Sequence, residues 1–244
     1  MQTKNQSGAQ RLLWMTDTHF EKAPKWLHDK IIQRLEEQDY DMAIITGDIA
    51  TTATLPTILH KLAEACGRRR LYIVLGNHDF HGSSVRSTIT RVDKICKSHS
   101  NLTHLSTSAA VRITDHTTLV GHHGLSGQPN QRARDIAESC QQIRRGIFSA
   151  VKTKTRLLVA THYPPFKSAV LFNSKPCGEK QQEYFCNPAL GYLMIRMAKQ
   201  SNLAIDILAG HTHHTAEDRI LANLRCSVGK AGPFHTGVQG IVMV

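Results

Sequence analysis

The chain has 244 residues, 41 % of them apolar, and carries 30 Lys and Arg against 19 Asp and Glu, a net charge of +11. That length buries a sizeable core without disulfide staples. No run approaches the roughly 18 consecutive apolar residues of a membrane-spanning helix. The N-terminal segment Met1–Gln10 is polar and lacks the apolar core of a signal peptide, so the expected location is cytoplasmic.

Strand-like apolar runs recur along the chain at Leu12–Met15, Met42–Thr46, Leu71–Leu75, Leu119–Gly121, Leu157–Ala160 and Ile205–Ala209. Segments of helical period lie between them. Pro24 opens one with Leu27, Ile31 and Leu35 on one face. Pro56 opens a second, with Leu55, Ile58, Leu59, Leu62 and Cys66 aligned and Gly67 as its stop. A third carries Val85, Ile89, Val92 and Ile95, a fourth Ile136, Cys140, Ile143 and Ile147, a fifth Leu190, Leu193, Met194 and Met197. After Gly210, short strands at Arg219–Leu221, Leu224–Val228 and Val238–Val244 follow without helices, which predicts antiparallel pairing and a mixed sheet. With no linker, repeat or low-complexity tract, residues 1–244 read as a single α/β domain.

The chemistry sits at the strand ends. Asp17-Thr18-His19, Gly47-Asp48, Gly76-Asn77-His78-Asp79, His162 and Gly210-His211-Thr212-His213 each follow an apolar run. In α/β folds the C-terminal edges of strands form the functional crevice. Residues i and i+2 of an extended segment point to one side, so Asp17 and His19 are expected to converge on one ion. One such Asp is often a helix cap and a lone His is often structural, but five in a row argue for a shared centre.

These five motifs, in this order, resemble the calcineurin-like metallophosphoesterases. The resemblance spans residues 17 to 213 and implies a four-layer αββα sandwich with two mixed β-sheets. It implies one metal held by Asp17, His19, Asp48 and His213, and another by Asp48, Asn77, His162 and His211, with Asp48 bridging. Mixed N and O donors suit Mn, Fe, Zn, Co or Ni, and paired ions about 3.5–4 Å apart acidify a shared water whose hydroxide attacks phosphorus in line. His78 is implied as the group that donates to a phosphate oxygen or protonates the leaving alkoxide, with Asp79 orienting and charging its ring.

Asp48 is followed by Ile-Ala-Thr-Thr, so the extended block of phosphoprotein phosphatases is absent, and His78 replaces the Arg of lipid-A precursor pyrophosphatases. The opening motif is similar to the bacterial branch with cyclic-nucleotide and glycerophosphodiester phosphodiesterases. Leu119-Val-Gly-His122-His123-Gly124 and Thr161-His-Tyr-Pro-Pro-Phe166 resemble bacterial members of unassigned substrate. There His123 more often is Asp, so His122 and His123 read either as substrate contacts or as a strand-end turn. The 164–188 loop, with Phe166, Phe172, Lys175 and Lys180, is a candidate pocket wall, and the Arg-bearing segment 125–150 either a cap or an outer helix.

The expected partner is a phosphorylated small molecule or nucleotide-like substrate, as phosphodiester or phosphomonoester. A nuclease is the alternative. Basic clusters at Arg68-Arg69-Arg70, Arg132/Arg134/Arg144/Arg145 and Lys152/Lys154/Arg156 set up a field that attracts anions, nucleic acid included. Their gathering around the metal mouth favours that alternative, and scatter disfavours it. A non-catalytic scaffold of the same fold is the third reading, disfavoured by the intact motifs. Of the six cysteines, Cys66, Cys96, Cys140 and Cys226 read as reduced core residues, whereas Cys177 and Cys186 lie in a loop where they are able to pair or bind metal.

Overall fold

In the computed structural model, which describes residues 9–37, 39–172, 175–176, 178–179 and 184–244, the first apolar run is strand β1 (Arg11–Met15). Alternate β1 residues face two different cores: Leu13 and Met15 pack toward helices, Leu12 and Trp14 toward a second sheet. β2 (Met42–Thr46), β3 (Arg70–Val74) and β4 (Leu102–His104) continue parallel from β1, while β13 (Val238–Met243) closes the other edge antiparallel. This first sheet runs β13-β1-β2-β3-β4.

Helices α1 (Lys25–Glu36), α2 (Leu55–Cys66) and α3 (Val85–Ser98) cover its outer face. Pro24 caps α1, Pro56 lies in the first turn of α2, and Gly67 (φ +60°) ends α2, as the sequence predicts.

The second sheet runs β11-β12-β10-β7-β6-β5. Its parallel centre is β6 (Thr117–His122), β7 (Arg156–Thr161), β10 (Ile205–Ala209) and β12 (Leu224–Val228), with β5 (Val111–Arg112) and β11 (Ala216–Leu221) antiparallel at the edges. Helices α4 (Arg132–Thr153) and α5 (Pro188–Ser201) cover it through Ile143, Ile147, Leu190 and Met194. The 125–150 segment is therefore mostly an outer helix.

Between the sheets, Leu12, Trp14, Ile44, Tyr72 and Val74 meet Leu119, Leu158, Ala160 and Leu208 in one apolar layer. The result is the expected αββα order with two mixed sheets. Edge strands β4 and β5 and the hairpin of β8 (Leu171–Phe172) with β9 (Lys175–Pro176) are too short for a periodic signal. No helix among the described residues is long and apolar enough to cross a membrane. Cys66, Cys96, Cys140 and Cys226 are unpaired. Cys177 lies outside the described residues, and with it any pairing to Cys186.

The basic clusters separate by sheet edge. Arg70 begins β3 and Arg156 begins β7, so Arg68–Arg70 and Lys152–Arg156 lie at the strand ends away from the C-terminal edge. They are also engaged locally: Arg69 Nη2 donates to the Leu35 carbonyl, Arg70 to that of Ser100 at 2.6 Å, and Arg156 to that of Met243 at 2.8 Å.

Candidate metal centre

Parallel pairing brings the C-terminal ends of β1, β2, β3, β7 and β10 to one edge, and the five motifs follow those ends. Backbone bonds tie the loops together: Asp17 N–H donates to Gly47 O (2.9 Å), His19 N–H to Asp48 O (3.0 Å), and Gly210 N–H to His162 O (3.0 Å). Asp17 and His19 converge, but not as an extended pair. Their φ angles are +50° and +43°, and Asp48 (+51°), His211 (+74°) and His213 (+59°) share that left-handed region. Such backbone is costly for side chains other than Gly, Asn, Asp or His and collects at functional sites.

Two groups of donors result. Asp17, His19, Asp48 and His213 each bring one ligand atom within 4.8 Å of the others, and so do Asp48, His162 and His211. In the first, His19 Nε2 lies 3.2 Å from His213 Nε2 and 3.7 Å from Asp48 Oδ2, and His213 Nε2 lies 3.3 Å from Asp17 Oδ1. In the second, His162 Nε2 lies 3.3 Å from Asp48 Oδ1 and 3.2 Å from Asn77 Oδ1. The two Asp48 oxygens thus divide between the groups.

What stands behind the rings matters as much. His162 Nδ1 lies 2.9 Å from the Thr46 carbonyl, and His211 Nε2 lies 3.0 Å from the Tyr184 carbonyl. His19 Nδ1 lies 3.2 Å from Glu21 Oε1. Carbonyls and carboxylates only accept, so each of these outer nitrogens carries an N–H and the inner nitrogen is the one offered to an ion, which on His162, facing the Asp48 and Asn77 oxygens, takes the place of a proton. That arrangement is typical of imidazoles that bind metal. The donor set of carboxylates, imidazoles and an amide oxygen fits divalent first-row ions.

Burial disfavours charge here, yet the carboxyls stay low. His213 holds Asp17 below the usual carboxylate range, and His162 does so for Asp48. His162, against its own burial, is raised to about 9 by Asp48, whereas burial and His162 push His211 down to about 4. Two glycines permit the approach. Gly47 has φ +97° and its missing Cβ leaves room for the His162 ring, and a Cβ on Gly76 collides with Asp48 and His162.

His78 stands beside the centre, its side chain 23 % exposed, with Nε2 4.0 Å from Asp48 Oδ2. The His78 backbone N–H donates to Asp48 Oδ1 at 2.8 Å. The expectation that Asp79 orients His78 is corrected. Asp79 is fully buried, and its oxygens accept from the N–H groups of Ile49 (2.9 Å), Ala50 (2.8 Å) and Gly76 (2.7 Å). It is a strut joining the loops after β2 and β3. Burial and the Asp48 charge push its carboxyl up, against the pull of the Ala50 and Gly76 N–H groups.

The carboxylate nearest the His78 ring is Glu21, with Oε1 3.6 Å from Nδ1. Lys22 Nζ lies 3.4 Å from the same nitrogen. Burial works against the Glu21 charge, but hydrogen bonds with His19 and His78 hold it at about 2. Sequence reasoning missed Glu21, although Asp17-Thr-His19-Phe-Glu21 places it two residues past a ligand candidate.

A cavity of about 330 Å³ opens at the first group, lined by Asp17, His19, Lys22, Leu27, His213 and His235. His122 and His123 do not reach the centre's surface: they are 3 % and 0 % exposed and stack on each other at the end of β6. Phe166 belongs to the second-sheet core, and Lys175 is exposed. Lys180 and the Phe172 side chain lie outside the described residues. The 164–188 loop reaches the centre instead through Tyr184 and through Phe185, whose ring centroid is 5.6 Å from that of His211.

Residues 10–215 match the calcineurin-like phosphoesterase family. Among curated proteins none matches the sequence. The fold is similar to a dimetal phosphatase from Danio rerio (TM-score 0.65, 11 % identity, 97 % of this chain and 92 % of that one). It is also similar to TT1561 of Thermus thermophilus (TM-score 0.58, 11 % identity, 91 % and 89 %) and to PhoD (TM-score 0.59, 11 % identity, 92 % and 56 %). Over most of its length, with a set of candidate metal donors gathered at one sheet edge, the chain belongs to the calcineurin-like phosphoesterases, metal-dependent hydrolases of phosphate esters.

Proposed function

We propose that this single domain is a dinuclear phosphoesterase acting on a phosphorylated small molecule, with one ion on Asp17, His19, Asp48 and His213 and the other on Asp48, Asn77, His162 and His211. The observation that carries the reading is the orientation of the rings. Oxygen acceptors behind His19, His162 and His211 engage their outer nitrogens and leave the inner ones facing an Asp48 whose two oxygens serve separate groups. The ions, Mn, Fe, Zn, Co or Ni by donor type, supply a nucleophile at neutral pH and neutralise phosphate charge.

The chain's own groups do the rest. His78, partly exposed and within 4.0 Å of Asp48, is placed to donate to a phosphate oxygen or to protonate the leaving alkoxide. Glu21 and Lys22 flank its Nδ1 and set its orientation. Asp79 holds the loops that carry Asp48 and Asn77 in register. A small substrate is favoured over nucleic acid because two of the three clusters, Arg68–Arg70 and Lys152–Arg156, lie at the opposite sheet edge, while in the third Arg132 lines a recess beside the centre and Arg134 pairs with Glu138.

The test is turnover of bis-p-nitrophenyl phosphate and p-nitrophenyl phosphate with Mn, Zn and Co. The reading expects metal-dependent hydrolysis that collapses in Asp48→Ala and His78→Ala. Absence of turnover with every metal, or rates indifferent to both substitutions, overturns it.

A further inference from the structure

A second cavity, of about 240 Å³, lies beside the other end of the centre, with Gly127, Arg132, Asp135, Tyr163 and Tyr184 among its walls. Its walls touch the second donor group at each of its three further members. The Tyr163 ring centroid is 3.9 Å from that of His211 and 5.5 Å from that of His162. Gly127 packs so closely on Asn77 that an added Cβ stands 2.9 Å from the Asn77 Cβ. The Tyr184 carbonyl is the acceptor that fixes the His211 ring.

The charged groups in these walls are unequal. Arg132 is partly buried and makes no ion pair or side-chain hydrogen bond among the described residues, whereas Arg134, two positions on, is spent on Glu138 at 2.7 Å. Asp135, 2 % exposed, is already engaged: its Oδ2 accepts from Ser126 N (2.7 Å) and Oγ (2.6 Å), and its Oδ1 faces His123 Nε2 at 3.6 Å. His123, which the first donor motifs leave unexplained, thus lies against Asp135 beneath this recess. A guanidinium left unpaired among the described residues, in a small recess, offers a planar fork suited to carboxylate or phosphate. The recess is below the roughly 300–1,000 Å³ that accommodates a drug-sized ligand, so it suits a compact group rather than a nucleoside.

We propose that this cavity receives a second anionic group of the substrate, a carboxylate or phosphate that is not itself hydrolysed, and that Arg132 selects for it. The assignment rests on the phosphoesterase reading above and goes further by naming the substrate class: phosphate esters bearing a further anion. No residue of the metal centre changes role.

The Mn-loaded full chain is assayed on phenyl phosphate, 4-carboxyphenyl phosphate and 1,4-phenylene bisphosphate, and on the methyl ester of each at its scissile phosphate, beside bis-p-nitrophenyl phosphate. A preference in kcat/KM of about 10–100-fold for the carboxylate or bisphosphate probe is expected, from one charge-assisted contact. The two probes separate carboxylate from phosphate as the second anion. That preference falls to within about twofold in Arg132→Ala and Arg132→Gln and persists in Arg134→Ala, whose side chain is held on the surface. Hydrolysis without preference, or a preference that survives loss of Arg132, overturns the cavity assignment alone. No hydrolysis of any ester overturns the phosphoesterase reading and this assignment with it.

Discussion

Replacing Asp79 separates two roles that its place beside His78 in the sequence confounds. Its carboxylate serves three buried backbone donors, Ile49, Ala50 and Gly76, at 2.7–2.9 Å. Asp79→Asn keeps an oxygen toward Ile49 and Ala50 but turns an NH2 against the Gly76 N–H, leaving one donor unpaired at a cost of about 1–3 kcal/mol. Asp79→Ala strands all three donors, about 3–6 kcal/mol once water enters the space. For a chain of this length the Asn variant should melt about 2–12 °C lower and the Ala variant lower still. Thermal unfolding of the metal-stripped protein measures this without interference from bound ions. His78→Ala serves as the comparison, since its partly exposed ring meets the side chains of Glu21 and Lys22 rather than buried backbone donors. An Asp79→Asn protein that melts with the parent yet loses turnover as His78→Ala does refutes the strut and restores Asp79 as the orienting group of His78.

His78→Ala should lower kcat by about 10²–10⁴-fold while the melting temperature stays near the parent's, checked by steady-state kinetics beside a melt. Glu21→Gln should weaken metal binding by about 10–100-fold in a calorimetric titration, because it loosens the carboxylate behind His19. Gly76→Ala should abolish occupancy at the second donor group, since its Cβ meets both Asp48 and His162, as read by metal content after dialysis. His104 and His122 are held by burial below the ordinary histidine range, so they stay neutral in the fold while the unfolded chain takes up protons. Stability is then intact above about pH 6.5 and falls as pH drops toward their folded values, by at most about 1 kcal/mol for each between pH 6.5 and 5.5 and most for His122, whose shift is the larger. Chemical denaturation at the two pH values measures the loss, and His122→Gln should reduce it.

Much of this was legible in the sequence because the informative residues sit where apolar runs stop. The runs predict both sheet cores, and the ordered motifs place Asp17, Asp48, Asn77, His162 and His211 at one edge. What stayed hidden has physical reasons. Asp17 and His19 converge through left-handed backbone, which no spacing rule for extended chain anticipates. The acceptors behind His162 and His211 are backbone carbonyls of Thr46 and Tyr184, and carbonyls leave no residue-type signature. Asp79 follows His78 in sequence, but the short helical turn His78–Phe80 sends its carboxylate toward three loop N–H groups rather than toward its neighbour. Phe166 follows His162 in a conspicuous aromatic stretch yet packs with Leu190 and Met194 in the core, because its loop folds back under α5. The net charge of +11 pointed at polyanions, but charge without position could not show that two basic clusters enter β3 and β7 from the far edge.

The central claim is that two ions share Asp48. Its most direct test is the metal content of Mn-loaded, dialysed protein for the parent, His213→Ala, His211→Ala and Asp48→Ala. Two ions per chain are expected in the parent, one in each histidine variant and loss of the paired centre in Asp48→Ala. A parent that holds a single ion or none, or histidine variants that still hold two, contradicts it.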